Sequence, residues 1–236
     1  MTEQVKQSNQ TNIAGLFSAG PHYGAMRSRR HPSTKKFVFG LKNKLEIIDL
    51  EQTVTQVTAV QEFIKSLSAL GKIVLFVGNK NEARKVIERG AKSIDMPYVS
   101  ERWIGGTLTN FDQIRKRINR LNDLEAKEAS GELSVYTKKE RSLIGFEMAD
   151  LVRTFGGIRG MEALPAALFV IDSEREKTAV TEARKLGIPV VALCNSDCNI
   201  SGIDYAIVAN DRSQKSIKHF VQMVVDAYVA GRNAKV

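Results

Sequence analysis

Residues 72–78 read KIVLFVG, a β-branched and aromatic run with no polar position from Ile73 to Val77. A strand that keeps one face in water alternates apolar and polar residues. A strand apolar on both faces is covered on both, as parallel strands are. The flanking sequence supplies the cover. Before the run, over residues 51–70, apolar residues recur at helical spacing (Val54, Val57, Val60 or Gln61, Ile64, Leu67), and Gly71 stops the helix. After it come a helix at 81–92 and a short strand at 97–99. The rhythm returns as a strand at 167–171 (ALFVI), a helix at 177–186, strands at 188–193 (IPVVAL) and 205–208, and an amphipathic helix at 213–230 with Ile217, Phe220, Val224 and Ala227 on one face. Strands alternating with helices of these lengths imply an α/β fold with a doubly wound parallel sheet.

Residues 107–156 break the rhythm. Ile114, Ile118, Leu121 and Leu124 form one helical stripe, and a second helix opens at Thr137. TKKE at 137–140 is a capping box, in which Thr137 and Glu140 satisfy each other's backbone amides. Leu143, Phe146, Ala149 or Val152, and Phe155 give this helix a stripe, and Gly156-Gly157 ends it. Two such helices joined by a short loop pack as an antiparallel hairpin projecting from the sheet. The domain reading is a segment at 1–45, a sheet domain at 46–106 and 157–236, and an inserted helical hairpin at 107–156.

Charge is unevenly placed. Eight Lys or Arg lie between Gln4 and Leu45 with no Asp or Glu; counting Glu3, residues 1–45 carry a net +7 of the chain's +9. A local basic patch is the footprint of a polyanion, because each cation set against a phosphate releases condensed counterions. A solvated basic tail would lack the His22, Tyr23, His31, Phe37 and Phe39 interleaved here, and the turn formers Gly20, Pro21, Gly24, Pro32 and Gly40 point to an ordered, irregular segment. A short helix is expected from Thr11 or Asn12, and two β-type runs at 37–39 and 45–50 follow the basic segment. Arg115, Lys116, Arg117 and Arg120 make a second basic surface, which as a sequence feature also fits a solvated helix face.

Enzyme motifs are missing where the fold would need them. VGNKNEAR after the first buried strand contains neither G-x-G-x-x-G nor G-x-x-x-x-G-K-[ST]. Asp172, at a strand end, fits a functional carboxylate or a turn cap. His22, His31 and His219 have no Asp, Glu, Ser or Cys at triad or metal spacing, so no catalytic or metal site and no cofactor is expected. The two cysteines, Cys194 and Cys198, read as reduced thiols rather than half a metal site. No run spans a bilayer and the N-terminus resembles no targeting signal, so a cytoplasmic protein is expected. In ERWIGGTLTNF (101–111), paired glycines before a helix could offer free amides to a phosphate beside Arg102, or Trp103 could pack as an elbow with Thr107 or Thr109 as cap.

Read in order, AGPHYG (19–24), FG (39–40) through IIDLEQTV (47–54), IVLFVGNK (73–80), RWIGGTLTNF (102–111), TKKE, GGI (156–158), LPAALFVID (164–172) and EARKLGIPVVA (182–192) resemble a single family, the bacterial small-subunit ribosomal protein number two. The resemblance runs from about Ile13 to Ala230. It implies a flavodoxin-like domain with an inserted antiparallel coiled-coil hairpin, no enzymatic activity, binding to small-subunit ribosomal RNA, and contact with neighbouring ribosomal proteins, including protein number one where an organism has it. Carried over by position, His22, Tyr23, Arg27, Arg29, Arg30, Lys35 and Lys36 form one RNA-facing motif. Arg102, Trp103, Gly105, Gly106, Thr107 and Asn110 form a second; Arg115 and Arg117, from the basic cluster on the hairpin, are added to the expected RNA-binding set on their charge alone. The chain departs from the family's Asp-Thr-Asn at Asn195-Ser196-Asp197 and from its Asn-Pro-Lys at His31-Pro32-Ser33. Two other readings remain beside RNA binding: a basic metabolite-binding α/β enzyme, and a scaffold whose hairpin docks another protein.

Overall fold

The computed structural model describes residues 17–233; the start expected for a helix at Thr11 or Asn12 lies outside them. The strands make two sheets. β1 (Tyr23–Met26), β2 (Val38–Lys42) and β3 (Leu45–Ile48) form an antiparallel sheet in the order β1-β3-β2. β4 (Val74–Val77), β5 (Tyr98–Val99), β6 (Ala167–Ile171), β7 (Val190–Cys194) and β8 (Tyr205–Val208) form a parallel sheet in the order β5-β4-β6-β7-β8. Counted from β4 this is 2-1-3-4-5, the flavodoxin-like doubly wound order.

The unbroken apolar run in β4 is explained by period two. Val74 and Phe76 enter one core, with α1 (Leu50–Ala69), α2 (Asn81–Ser93) and α6 (Gln214–Asn233). Leu75 and Val77 enter the other, with α3 (Phe111–Ser130), α4 (Lys138–Phe155) and α5 (Lys177–Lys185). Phe76 and its register partner Phe169 meet edge to face at 5.3 Å, a favoured aromatic geometry.

Element ends differ from the sequence reading where capping intervenes. The strand expected over 45–50 stops at Ile48, because Asp49 Oδ1 accepts the Glu51 amide at 3.0 Å and starts α1, taking Leu50 into the helix. β2 and β3 are joined through Asn43 and Lys44, both at positive φ (51° and 66°), as a two-residue hairpin turn requires. A boundary at residue 45 cuts β3, so the basic segment enters the fold as a small sheet ending at Ile48.

α3 and α4 pack antiparallel. Glu140 N donates to Thr137 Oγ1 (3.4 Å) and Thr137 N donates to Glu140 Oε2 (2.9 Å), completing the capping box. The stripe expected on α4 is corrected. Leu143, Phe146 and Val152 are exposed, and Ile144, Met148, Leu151 and Phe155 face α3 and the sheet. Apolar residues stand at both settings of the helix, so spacing alone does not choose; Phe155 belongs to both. Buried positions run from Ile114 to Leu124 on α3 and resume at Leu151 on α4, so the loop end of the hairpin carries no fully buried residue. Gly157 follows α4 because a Cβ there would collide with the Tyr98 carbonyl of β5.

Candidate nucleic-acid interface

The basic segment is fastened to the carboxyl ends of the parallel strands. Ser196, fully buried after β7, receives the Ala25 amide on its hydroxyl (2.9 Å) and the His31 amide and Thr34 hydroxyl on its carbonyl (3.0 and 2.7 Å). Asn210 Nδ2 donates to the Gly20 carbonyl at 3.0 Å. Ser196 is held in turn: its amide donates to Asn195 Oδ1 (2.7 Å), and Asn195 Nδ2 donates to Asp211 Oδ1 (3.0 Å). His31 caps the turn at Pro32–Phe37, its Nδ1 accepting the Ser33 amide at 3.2 Å.

This anchoring sorts the expected RNA contacts. Arg27, Arg29, Lys35 and Lys36 are exposed, and none forms an ion pair among the described residues; Lys36 Nζ lies 4.9 Å from the Phe37 ring centroid. Tyr23 is exposed as well. Arg30 is half-buried and committed inward, 3.2 Å from Glu46, a carboxylate only 1% exposed. Neither Glu46 oxygen has an aligned hydrogen bond among the described residues, so the Arg30 charge is what offsets its burial. His22 is buried between Phe17, stacked at 4.3 Å, and Tyr23 at 4.1 Å. Burial and the nearby Lys42 hold its pKa below the ordinary value, so it serves as a neutral packing ring. Phe39, 80% exposed, sits where the β2–β3 register shifts, a bulge that leaves the ring facing outward.

In the second motif the geometry supports the elbow formed by Trp103, but neither Thr107 nor Thr109 caps α3, whose N-cap is Asn110 with no side-chain cap hydrogen bond. Both oxygens of Glu182, on α5, fill the turn before α3. Oε1 accepts Trp103 Nε1 (3.1 Å) and the Gly106 amide (2.8 Å); Oε2 accepts the Leu108 amide (3.0 Å) and the Thr109 amide and hydroxyl (3.2 Å each). Burial works against this carboxylate, yet the backbone donors leave its pKa below the ordinary value. The amides suited to a phosphate thus already hold an internal anion. Trp103 and Thr107 are buried, Thr107 Oγ1 donating to the Ile104 carbonyl at 2.6 Å, so Trp103, Gly106 and Thr107 are engaged inside the protein. Arg102, Gly105 and Asn110 remain on the surface. Arg117 is exposed, Arg115 Nη1 donates to the Met161 carbonyl at 2.9 Å, and Arg120 pairs with Glu147 across the hairpin at 3.2 Å.

The crevice where doubly wound proteins receive ligands, between β4 and β6, is filled by the chain itself. Lys80 Nζ lies 2.7 Å from both Asp172 and Asp211. Burial opposes the Lys80 charge, and the two carboxylates still raise its pKa; burial raises Asp211, whereas Lys80 holds Asp172 low against its own burial. Asp172 also accepts the Glu174 and Arg175 amides at 3.2 and 3.1 Å, the turn-cap role. Glu176 accepts the Asn79 amide at 3.0 Å, and its pKa is raised to about 7 by burial. Asp172, Cys198 and Asp211 offer ligand atoms within 4.8 Å of one another. The Lys80 ammonium occupies the place of a cation between the two carboxylates. Both cysteines are free and buried; the hydrogen bond with Cys194, then burial, pushes the Cys198 thiol far up, leaving it neutral. A cavity of about 460 Å³ opens beyond the strand ends, lined by Arg29, His31, Arg175, Asp172, Glu174 and Asp197, so that three carboxylates face two guanidiniums. Of these arrangements only the Asp172 turn cap is local enough to be read from the sequence; the Lys80 ion pairs join residues far apart along the chain.

Among the described residues no helix is long and apolar enough to cross a membrane. The family model of ribosomal protein S2 matches residues 16–231. The chain is similar to the small ribosomal subunit protein uS2 of Acidothermus cellulolyticus, 42% identical over 93% of this chain and 80% of the relative. It is similar also to that of Dehalococcoides mccartyi, at 40% over 95% and 91%, and that of Endomicrobium trichonymphae, at 39% over 94% and 91%. An α/β sheet whose ligand crevice is sealed by its own ion pairs, bearing a pinned cationic face with four cations unpaired among the described residues, accords with those matches: the chain belongs to the ribosomal protein S2 family.

Proposed function

We propose that this chain is a structural constituent of the small ribosomal subunit in the cytoplasm, performing no reaction and binding small-subunit ribosomal RNA through its N-terminal sheet. The observation that carries this reading is the set Arg27, Arg29, Lys35 and Lys36, without a carboxylate partner among the described residues, on a backbone pinned by Ser196 and Asn210. Rigid mounting matters because cations on an ordered surface lose less entropy on binding than cations on a coil. Tyr23 and Phe39 add exposed rings on which unpaired bases stack. Arg102, Gly105, Asn110 and Arg117 extend the interface along the base of the hairpin; His22, Arg30, Trp103, Gly106 and Thr107 hold it in shape, and Arg115 latches α3 to the Met161 carbonyl.

The hairpin at 107–156 supports a second role. Its exposed Leu143 and Phe146 lie on one face of α4, as a surface for a neighbouring ribosomal protein, protein number one among them, would. RNA binding is tested by changing Arg27, Arg29, Lys35 and Lys36 to Gln and measuring affinity for a small-subunit RNA transcript against salt. Each lost phosphate contact reduces the log–log slope by about 0.7 to 0.9, so the variant should fall by roughly 3. An unchanged slope refutes the interface.

A further inference from the structure

A second cationic surface lies on the far helical layer. α2 and α6 enclose a groove of about 540 Å³ lined by Lys85 and Arg89 from one helix and Lys215 and Lys218 from the other, with no carboxylate in its walls. All four are exposed. The remaining cations of α2 are turned to other partners, Arg84 to Glu101 at 3.1 Å and Lys92 to Glu88 at 2.7 Å. At 1.5 Å rise per residue, Lys85 and Arg89 stand about 6 Å apart along α2, and Lys215 and Lys218 about 4.5 Å apart along α6. The groove therefore has two facing rows of charge. Its floor is rigid: Gly90 lets the helices approach so closely that a Cβ there would come 2.5 Å from Val221 Cγ1.

We propose that this groove binds the phosphate backbone of RNA, as a contact separate from the N-terminal sheet. It rests on the RNA-binding reading above and adds a second surface to it. Three of the four cations are Lys, a residue depleted at protein–protein interfaces and well suited to phosphate as a compact point charge. An acidic protein segment is the rival occupant.

The test changes Lys85, Arg89, Lys215 and Lys218 to Gln in the full chain, beside the N-terminal four-site variant, with thermal melting to show that both remain folded. For a small-subunit RNA transcript, the groove variant should bind roughly 100- to 1,000-fold more weakly at 0.1 M salt, with a log–log slope reduced by about 3. A groove variant that binds like the parent while the N-terminal variant fails overturns this inference and leaves the first reading intact. Retention by both variants overturns both. A groove variant with unchanged RNA affinity and lost incorporation into particles assigns the surface to a protein and also overturns the inference. Independently, an iron chelate tethered at Gln222→Cys should cleave the RNA backbone locally within assembled subunits; no cleavage contradicts the proposal.

Discussion

Glu182→Gln probes the joint between sheet and hairpin. The substitution keeps volume and one carbonyl oxygen, so Trp103 Nε1 and the Gly106 amide retain an acceptor. It turns an NH2 group toward the Leu108 and Thr109 amides, both now bound to Oε2 at 3.0 and 3.2 Å. The buried Leu108 amide left without an acceptor costs about 1–3 kcal/mol, the partly exposed Thr109 amide costs less, and the lost carboxylate charge weakens what remains. Allowing for partial relaxation, the total is about 3 kcal/mol, or roughly 6–12 °C in Tm for a chain of this size. Urea unfolding at pH 7 measures it, and hydrogen exchange at Leu108 and Thr109 places it. Because the folded pKa of Glu182 is lowered, its contribution is present above the ordinary carboxylate range and is lost as pH falls through the folded value. The gap between parent and variant should therefore narrow on acidification. A variant within about 0.5 kcal/mol of the parent at pH 7, with no change in exchange, would show that the Glu182 contacts do not hold the turn.

Glu176→Gln should act in the opposite sense. With its pKa raised from 4.5 to about 7, Glu176 holds a proton in the folded chain that the unfolded chain releases, so stability falls as pH rises through that window. The Gln variant should lose this fall and gain about 2–3 kcal/mol above pH 7, as denaturation at pH 5 and 8 would show; equal stability differences at both pH values refute it. Gly157→Ala should cost about 2–3 kcal/mol by overpacking, since its Cβ meets the Tyr98 carbonyl at the strand edge; a melt matching the parent contradicts the close approach. Ser196→Ala removes only a hydroxyl from the core but unfastens the Ala25 amide. Protease cleavage near Arg27 and Arg29 should accelerate several-fold while global stability drops by about 1 kcal/mol, and unchanged cleavage would mean the segment is anchored elsewhere.

What sequence reveals here follows the range of the interaction. KIVLFVG discloses the sheet because burial on both faces leaves a continuous signature in adjacent residues, and Thr137 with Glu140 discloses a helix start because both partners lie within one turn. The inward face of α4 is ambiguous, since Leu143 and Phe146 compete with Ile144 and Met148 as apolar candidates and only the α3 contact decides. Glu182 reads as an ordinary helix carboxylate, yet it closes a turn more than 70 residues earlier in the chain. Glu46 lies one residue beyond the acid-free stretch and takes Arg30 out of the exposed set. Lys80 seals the ligand crevice only once β4, β6 and the turn after β8 converge, which no local motif records.

The central claim is that the pinned cations of the N-terminal sheet, unpaired among the described residues, seat this chain on ribosomal RNA. Competitive incorporation into small subunits measures it directly, with parent protein and the variant carrying Gln at Arg27, Arg29, Lys35 and Lys36 supplied in equal amounts and counted in purified particles by mass spectrometry. The account predicts particles dominated by the parent, with the deficit growing as assembly salt is raised. Equal occupancy at every salt concentration would contradict it.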